Sequence, residues 1–130
     1  MMPISRRVSF ILLDQNLAAD LRDLLPGHDV RHAIEMGWDR LENGALLTAA
    51  EAAGFEVMMT ADKRIRYQQN LVGRRISLVV LSTNHWRTIR ANAEPILQAL
   101  GLIAEGSYQE VTFERRPLRR RPPPDRPPGA

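Results

Sequence analysis

Cysteine is absent from the 130 residues, which removes a disulfide framework, a thiolate zinc site and a cysteine nucleophile together. Carboxylates, histidines and hydroxyls are left to carry any chemistry. Long apolar stretches are missing as well. The first residues, MMPISRRVSFILLDQN, hold only the six-residue run VSFILL before Asp14, too short for a signal-peptide core or a membrane span. These absences predict a cytoplasmic protein with no membrane contact. No G-x-G-x-x-G follows the first apolar run, which disfavours dinucleotide binding, and no G-x-x-x-x-G-K is present for a P-loop. A response-regulator receiver would need an acidic pair at the end of the first strand and a lysine after the last. The only lysine is Lys63.

Against these absences stands a composition that can fold, 44% hydrophobic and 25% charged, at the usual size of one domain. The formal net charge of +3 conceals a strong polarity along the chain. Residues 8 to 62 carry ten acids against three arginines, whereas residues 63 to 93 carry Lys63, Arg64, Arg66, Arg74, Arg75, Arg87 and Arg90 with no acid. Such bipolarity suits metal binding beside phosphate binding, and it equally suits two halves that neutralise each other on folding. From Arg115 the composition changes abruptly. RRPLRRRPPPDRPPGA holds six of the nine prolines, six arginines and one large aliphatic side chain, Leu118. The chain therefore divides into a domain over residues 1–114 and a basic Pro/Arg-rich tail over 115–130, which is expected to be disordered.

Within the domain, apolar patterning alternates between strand and helix. VSFILL (8–13) is a continuous run suited to a strand buried on both faces of a parallel sheet. Leu17, Leu21, Leu24 and Leu25 follow at helical spacing, and Pro26-Gly27 closes the segment. His28 to Ala33 is a second strand. A helix opening at Asn43-Gly44 places Leu46, Leu47, Ala50 and Ala53 on one face and stops at Gly54. Glu56 to Thr60 is a third strand, Lys63 to Leu71 a short polar helix, and Ser77 to Ser82 a fourth strand. A helix from near His85 carries Ile89, Ala93, Ile96, Leu97 and Leu100, with Pro95 expected to kink it or begin a new turn. Ser107 to Phe113 is an edge-strand candidate. This order predicts an α/β fold with a mostly parallel sheet of four to five strands, helices on both faces, and a site at the carboxyl ends of the strands. Asp14, Asp62 and the pair Thr83-Asn84 all fall at that edge.

The pieces ILLDQNL (11–17), LLPGHDV (24–30), EMGWDRLENGALL (35–47), TADKRIRYQQNL (60–71) and VVLSTN (79–84) resemble the bacterial PIN-like proteins of unknown function, over roughly residues 8 to 100. The resemblance implies a PIN-like three-layer α/β/α fold. It also implies a Mg²⁺- or Mn²⁺-dependent endonuclease, a hydrolase acting as a ribonuclease and as a component of a toxin-antitoxin pair. Carried over by position, Asp14 and Asp62 are the metal ligands. Hard divalent cations take several oxygen ligands, activate a water and stabilise the leaving oxygen of a phosphodiester, so clustered carboxylates suit this chemistry on their own account.

The family's helix-borne acid falls where this chain has Asn43-Gly44-Ala45, so Glu42, or Asp39 behind it, is the substitute third acid. A further acid of full sites appears here as Asn84. The catalytic set is thus Asp14, Asp62 and Glu42, and Asn16, Thr60, Lys63, Arg64 and Asn84 are candidate substrate contacts. The partners expected are RNA and an antitoxin protein, or a second copy of the chain in a homodimer. The alternative is a PIN-like module that has lost cleavage and still binds RNA or a protein. Helix capping would also explain either aspartate singly. His32 and His85, with no second ligand at metal spacing, read as structural or exposed, and Trp38 and Trp86 as packing residues.

Overall fold

The computed structural model describes residues 9–65 and 74–113. The basic tail (115–130), the segment Tyr67 to Asn70 and most of the expected Lys63–Leu71 helix lie outside the described residues, as does the limit set for the domain at residue 114. Five strands form one sheet: β1 (Phe10–Leu13), β2 (Asp29–His32), β3 (Val57–Thr60), β4 (Ser77–Leu81) and β5 (Tyr108–Val111). They lie in the order β2-β1-β3-β4-β5, and every neighbouring pair is parallel. The α/β class and parallel sheet expected from the sequence are therefore observed, and the Ser107–Phe113 candidate is edge strand β5.

Burial explains the order. All residues of β3 and β4 are buried, as are three of the four in β1, which matches their uninterrupted apolar runs and their central places. The edge strand β2 alternates exposed and buried residues. Side chains alternate across a strand, so Ile11 and Leu13 face one side of the sheet and Leu12 the other. The first side builds a core with Val57, Met59, Val79 and Leu81. The second builds a core with Met58, Leu78 and Val80, filled by Leu46, Leu47 and Ala50 of α1 (Asn43–Ala52). Phe10 stacks on Phe55 at 3.9 Å between ring centroids, and Trp38 meets Phe55 edge-on at 6.1 Å. Trp86 packs against the first core. Both tryptophans are thus packing residues.

Two helices differ from expectation. The leucine-spaced segment after β1 is a 3₁₀ helix over Ala19–Leu24, not an α-helix. Leu21, Leu25 and Leu17 still reach the first core, so the spacing marked the buried side and left the helix type open. The single helix expected near His85 is two, α2 (Trp86–Ala91) and α3 (Glu94–Gly101), with Pro95 in the first turn of α3. Proline lacks the N–H that a first turn leaves unused. Gly106 has φ +70°, and a Cβ there would lie 2.6 Å from the Arg74 carbonyl oxygen, so this approach to the β4 lead-in requires glycine. Among the described residues, no helix is long and apolar enough to cross a membrane.

Candidate functional site

A parallel sheet brings the carboxyl ends of all its strands to one edge. The order of strands reverses between β1 and β3, which have β2 on one side and β4 on the other, and a crevice forms outside such a reversal. Leu13 pairs with Met59, and the Asp14 N–H donates to the Met59 carbonyl at 2.9 Å. Continuing that register sets Asp14 beside Thr60, both on the side of the sheet that Leu12 and Met58 share with α1. The two aspartates expected to meet at this edge therefore follow strands that are neighbours.

Thr60 is the hub. Its side chain is fully buried, and its hydroxyl donates to Asp14 Oδ2 at 2.6 Å. Thr60 Oγ1 also accepts the Asp62 backbone N–H at 3.0 Å and lies 3.5 Å from Asn16 Nδ2. Asn16 Oδ1 in turn accepts the Ala61 N–H at 3.3 Å. Asp14 is only 7% exposed, and its second oxygen accepts the Gln15 N–H at 2.7 Å. Capping does not account for Asp14, because the 3₁₀ helix begins five residues later, behind Ala18. What holds the Asp14 turn in place is a buried histidine. His32 Nδ1 accepts the Ile34 N–H at 3.2 Å, so its Nε2 carries the proton and donates to the Leu17 carbonyl at 2.8 Å. The Leu17 N–H closes the turn on the Asp14 carbonyl. His32 is structural, as expected; His85 is exposed and bonds Thr88 Oγ1.

Asp62 turns toward α1 and its own successor. Arg64 approaches it with two N–H groups, Nε to Oδ1 and Nη2 to Oδ2, both at 3.1 Å, while Asn43 Nδ2 donates to Oδ2 at 3.2 Å and the Arg64 backbone N–H to Oδ1. The Arg64 guanidinium holds the Asp62 carboxyl down at about 2; partial burial opposes this, and the Asn43 amide and the backbone N–H assist. Asp62 also holds Arg64 protonated, and the field of Glu42 adds to that effect. Glu42 is the N-cap residue of α1, yet its carboxylate makes no capping bond.

Of the residues singled out in the sequence, the fold therefore joins Asp14, Asn16, Thr60, Asp62 and Arg64 in one hydrogen-bonded network, with Glu42 close enough for its charge to act on Arg64. Lys63, Asn84 and Asp39 are exposed and, among the described residues, no hydrogen bond joins them to it, and Ala45 is exposed on α1. Asn43 was missed as a site residue, although it stands where the family resemblance places a helix-borne acid. Its amide now serves Asp62 from that position. The donor set consists of hard oxygens: two carboxylates, a hydroxyl and a carboxamide. Among the described residues, no three His, Cys, Asp or Glu side chains form a group that would hold a metal ion. A cation here would take the rest of its shell from water and substrate phosphate, a habit of Mg²⁺ at sites with one or two carboxylates. Comparison with family models, curated proteins and solved structures gave no match.

Proposed function

We propose that the protein is a Mg²⁺- or Mn²⁺-dependent endoribonuclease whose site is the carboxyl edge of the β1–β3 pair. One observation supports the reading: at the point where the strand order reverses, the buried Thr60 hydroxyl bonds the Asp14 carboxylate, 46 residues away in sequence, and the backbone N–H of Asp62, so that both acids leave the sheet from one corner. In this reading Asp14 and Asp62 hold the cation, which when bound activates a water and stabilises the leaving oxygen of the phosphodiester. Glu42 adds its charge beside Arg64 without joining the two aspartates in a ligand group, and Asn16 orients the Asp14 side. Lys63 and the arginines after it attract the RNA backbone.

Titration with Mn²⁺, followed by its electron paramagnetic resonance signal, is expected to show site-specific binding that Asp14→Asn and Asp62→Asn each abolish, together with Mn²⁺-dependent cleavage of single-stranded RNA. Binding that survives both substitutions would defeat the proposal. A second reading has its own observation, the engagement of both Asp62 oxygens by Arg64. It makes the protein a module that binds RNA without cutting it, and RNA binding with no Mn²⁺ site would establish it.

A further inference from the structure

Arg64 and Asp62 are exposed very unequally. The Asp62 side chain is 18% accessible and is anchored from behind by Asn43 and a backbone N–H, whereas the Arg64 side chain is 76% accessible. The guanidinium thus covers the open side of a fixed carboxylate. It is also the group that occupies both Asp62 oxygens, which a divalent cation would need. An ion pair this exposed is weak, because water and salt screen it and ordering a long side chain costs entropy. A divalent cation at the same carboxylate carries twice the charge and is drawn by Asp14 as well.

We propose that Arg64 is the resident counter-ion of this site, exchanged for the divalent cation on binding and then free to take a phosphate oxygen of the incoming RNA. The inference rests on the proposed metal-dependent function and adds the order of events within it. While it lies on Asp62, Arg64 neutralises a partly buried acid and itself feels the charge of Glu42. Once displaced, its two parallel N–H groups are unpaired, and a planar guanidinium recognises a phosphodiester in the same two-point way as a carboxylate. Because Arg64 is only two residues beyond Asp62, it remains at the edge where the substrate must lie. The cation would thereby create a phosphate contact that its absence withholds, coupling the two binding steps.

The test compares the parent with Arg64→Gln, whose exposed position leaves folding intact, using two readouts that need no turnover. Mn²⁺ affinity measured by electron paramagnetic resonance should tighten in Arg64→Gln by up to about fivefold, the ceiling set by the worth of an exposed ion pair. Affinity for a cleavage-resistant 2′-O-methyl RNA oligonucleotide should fall in Arg64→Gln when Mn²⁺ is present and be nearly unchanged without it. Should the parent bind Mn²⁺ and Arg64→Gln bind it equally or more weakly, the exchange is wrong while the metal site stands. An equal loss of RNA affinity with and without Mn²⁺ would show that Arg64 contacts RNA independently of the cation, which also overturns the exchange. If neither protein binds Mn²⁺ at a defined site, the exchange and the metal-dependent function fall together.

Discussion

The two ends of α1 each meet an arginine–carboxylate pair, and the pairs are built differently. At the amino edge of the sheet, Glu51 Oε1 accepts from Arg74 Nη1 at 3.0 Å while its other oxygen accepts the backbone N–H groups of Arg75 and Ile76, just before β4. Both partners are sheltered, with side chains 28% and 23% accessible. At the carboxyl edge, Arg64 lies open to solvent over Asp62. Glu51 thus binds backbone that the sheet leaves unpaired, and its arginine completes a structural clasp. Asp62 is fixed by Asn43 and its own turn, and its arginine is a cover. The difference teaches that an ion pair tells little by itself; what each oxygen would lose on removal separates a strut from an exposed cover.

Five experiments can break or sharpen that contrast, taken from the largest expected effect on stability to the smallest. Thr60→Val removes the hydroxyl that links Asp14 to the backbone of Asp62 and takes a donor from a buried carboxylate oxygen. A loss of about 2–3 kcal/mol in urea unfolding is expected, and a loss below the measurement error would mean that the network is not structural at all. Glu51→Ala frees two backbone N–H groups and Arg74, and should cost about 1–2 kcal/mol with Mn²⁺ binding unaltered. A change in Mn²⁺ affinity would erase the distinction between the two ends.

Asp62→Asn comes next, with an expected stability loss of no more than about 1 kcal/mol because its partner is so exposed, although Mn²⁺ binding should vanish. The pH dependence carries the sign. The folded carboxyl titrates at about 2 against an ordinary 3.8, so the stability it contributes is fully present above 3.8 and is lost as pH falls through about 2. An NMR titration of Arg64→Ala should move the Asp62 midpoint up toward 3.8, and an unmoved midpoint would assign the depression to Asn43 and the backbone. Truncation after Phe113 should have the smallest effect, within ~1 °C of the parent melting temperature, because Phe113 is the last core residue of the described chain and Ser82 Oγ already accepts its N–H. A larger drop would mean that the basic segment supports the domain.

The sequence showed the sheet more clearly than the site. VSFILL and SLVVLS had to be buried on both faces because no alternation relieved them, and they became β1 and β4. Asp14, Thr60 and Asp62 were visible as strand-end residues since the carboxyl-edge rule needs only strand boundaries. The 3₁₀ helix was not visible, because leucines spaced for burial satisfy either helix type over six residues. Nor was the Arg64–Asp62 pair, which joins residues two apart in a turn, where no periodic pattern announces that side chains will meet. Asn43 is illegible for a different reason: an amide at a helix start does not announce which carboxylate its N–H will meet, and here that is Asp62.

The parallel order has a kinetic consequence as well. Neighbouring parallel strands cannot be joined by a tight hairpin, so each pairing requires a crossover to close first, and the entropy of closure is spent before the contact returns anything. The Asp14–Thr60 bond closes 46 residues and needs β1 and β3 in register, with the whole β2–α1 excursion already out of the way. Chains rich in such separations fold slowly. During that delay the carboxylates are scattered along an unfolded polymer and assemble no common site. The Asp14–Thr60 arrangement is therefore withheld from a nascent chain until β3 has been made and docked, so the topology itself acts as a timer on the assembly of this edge.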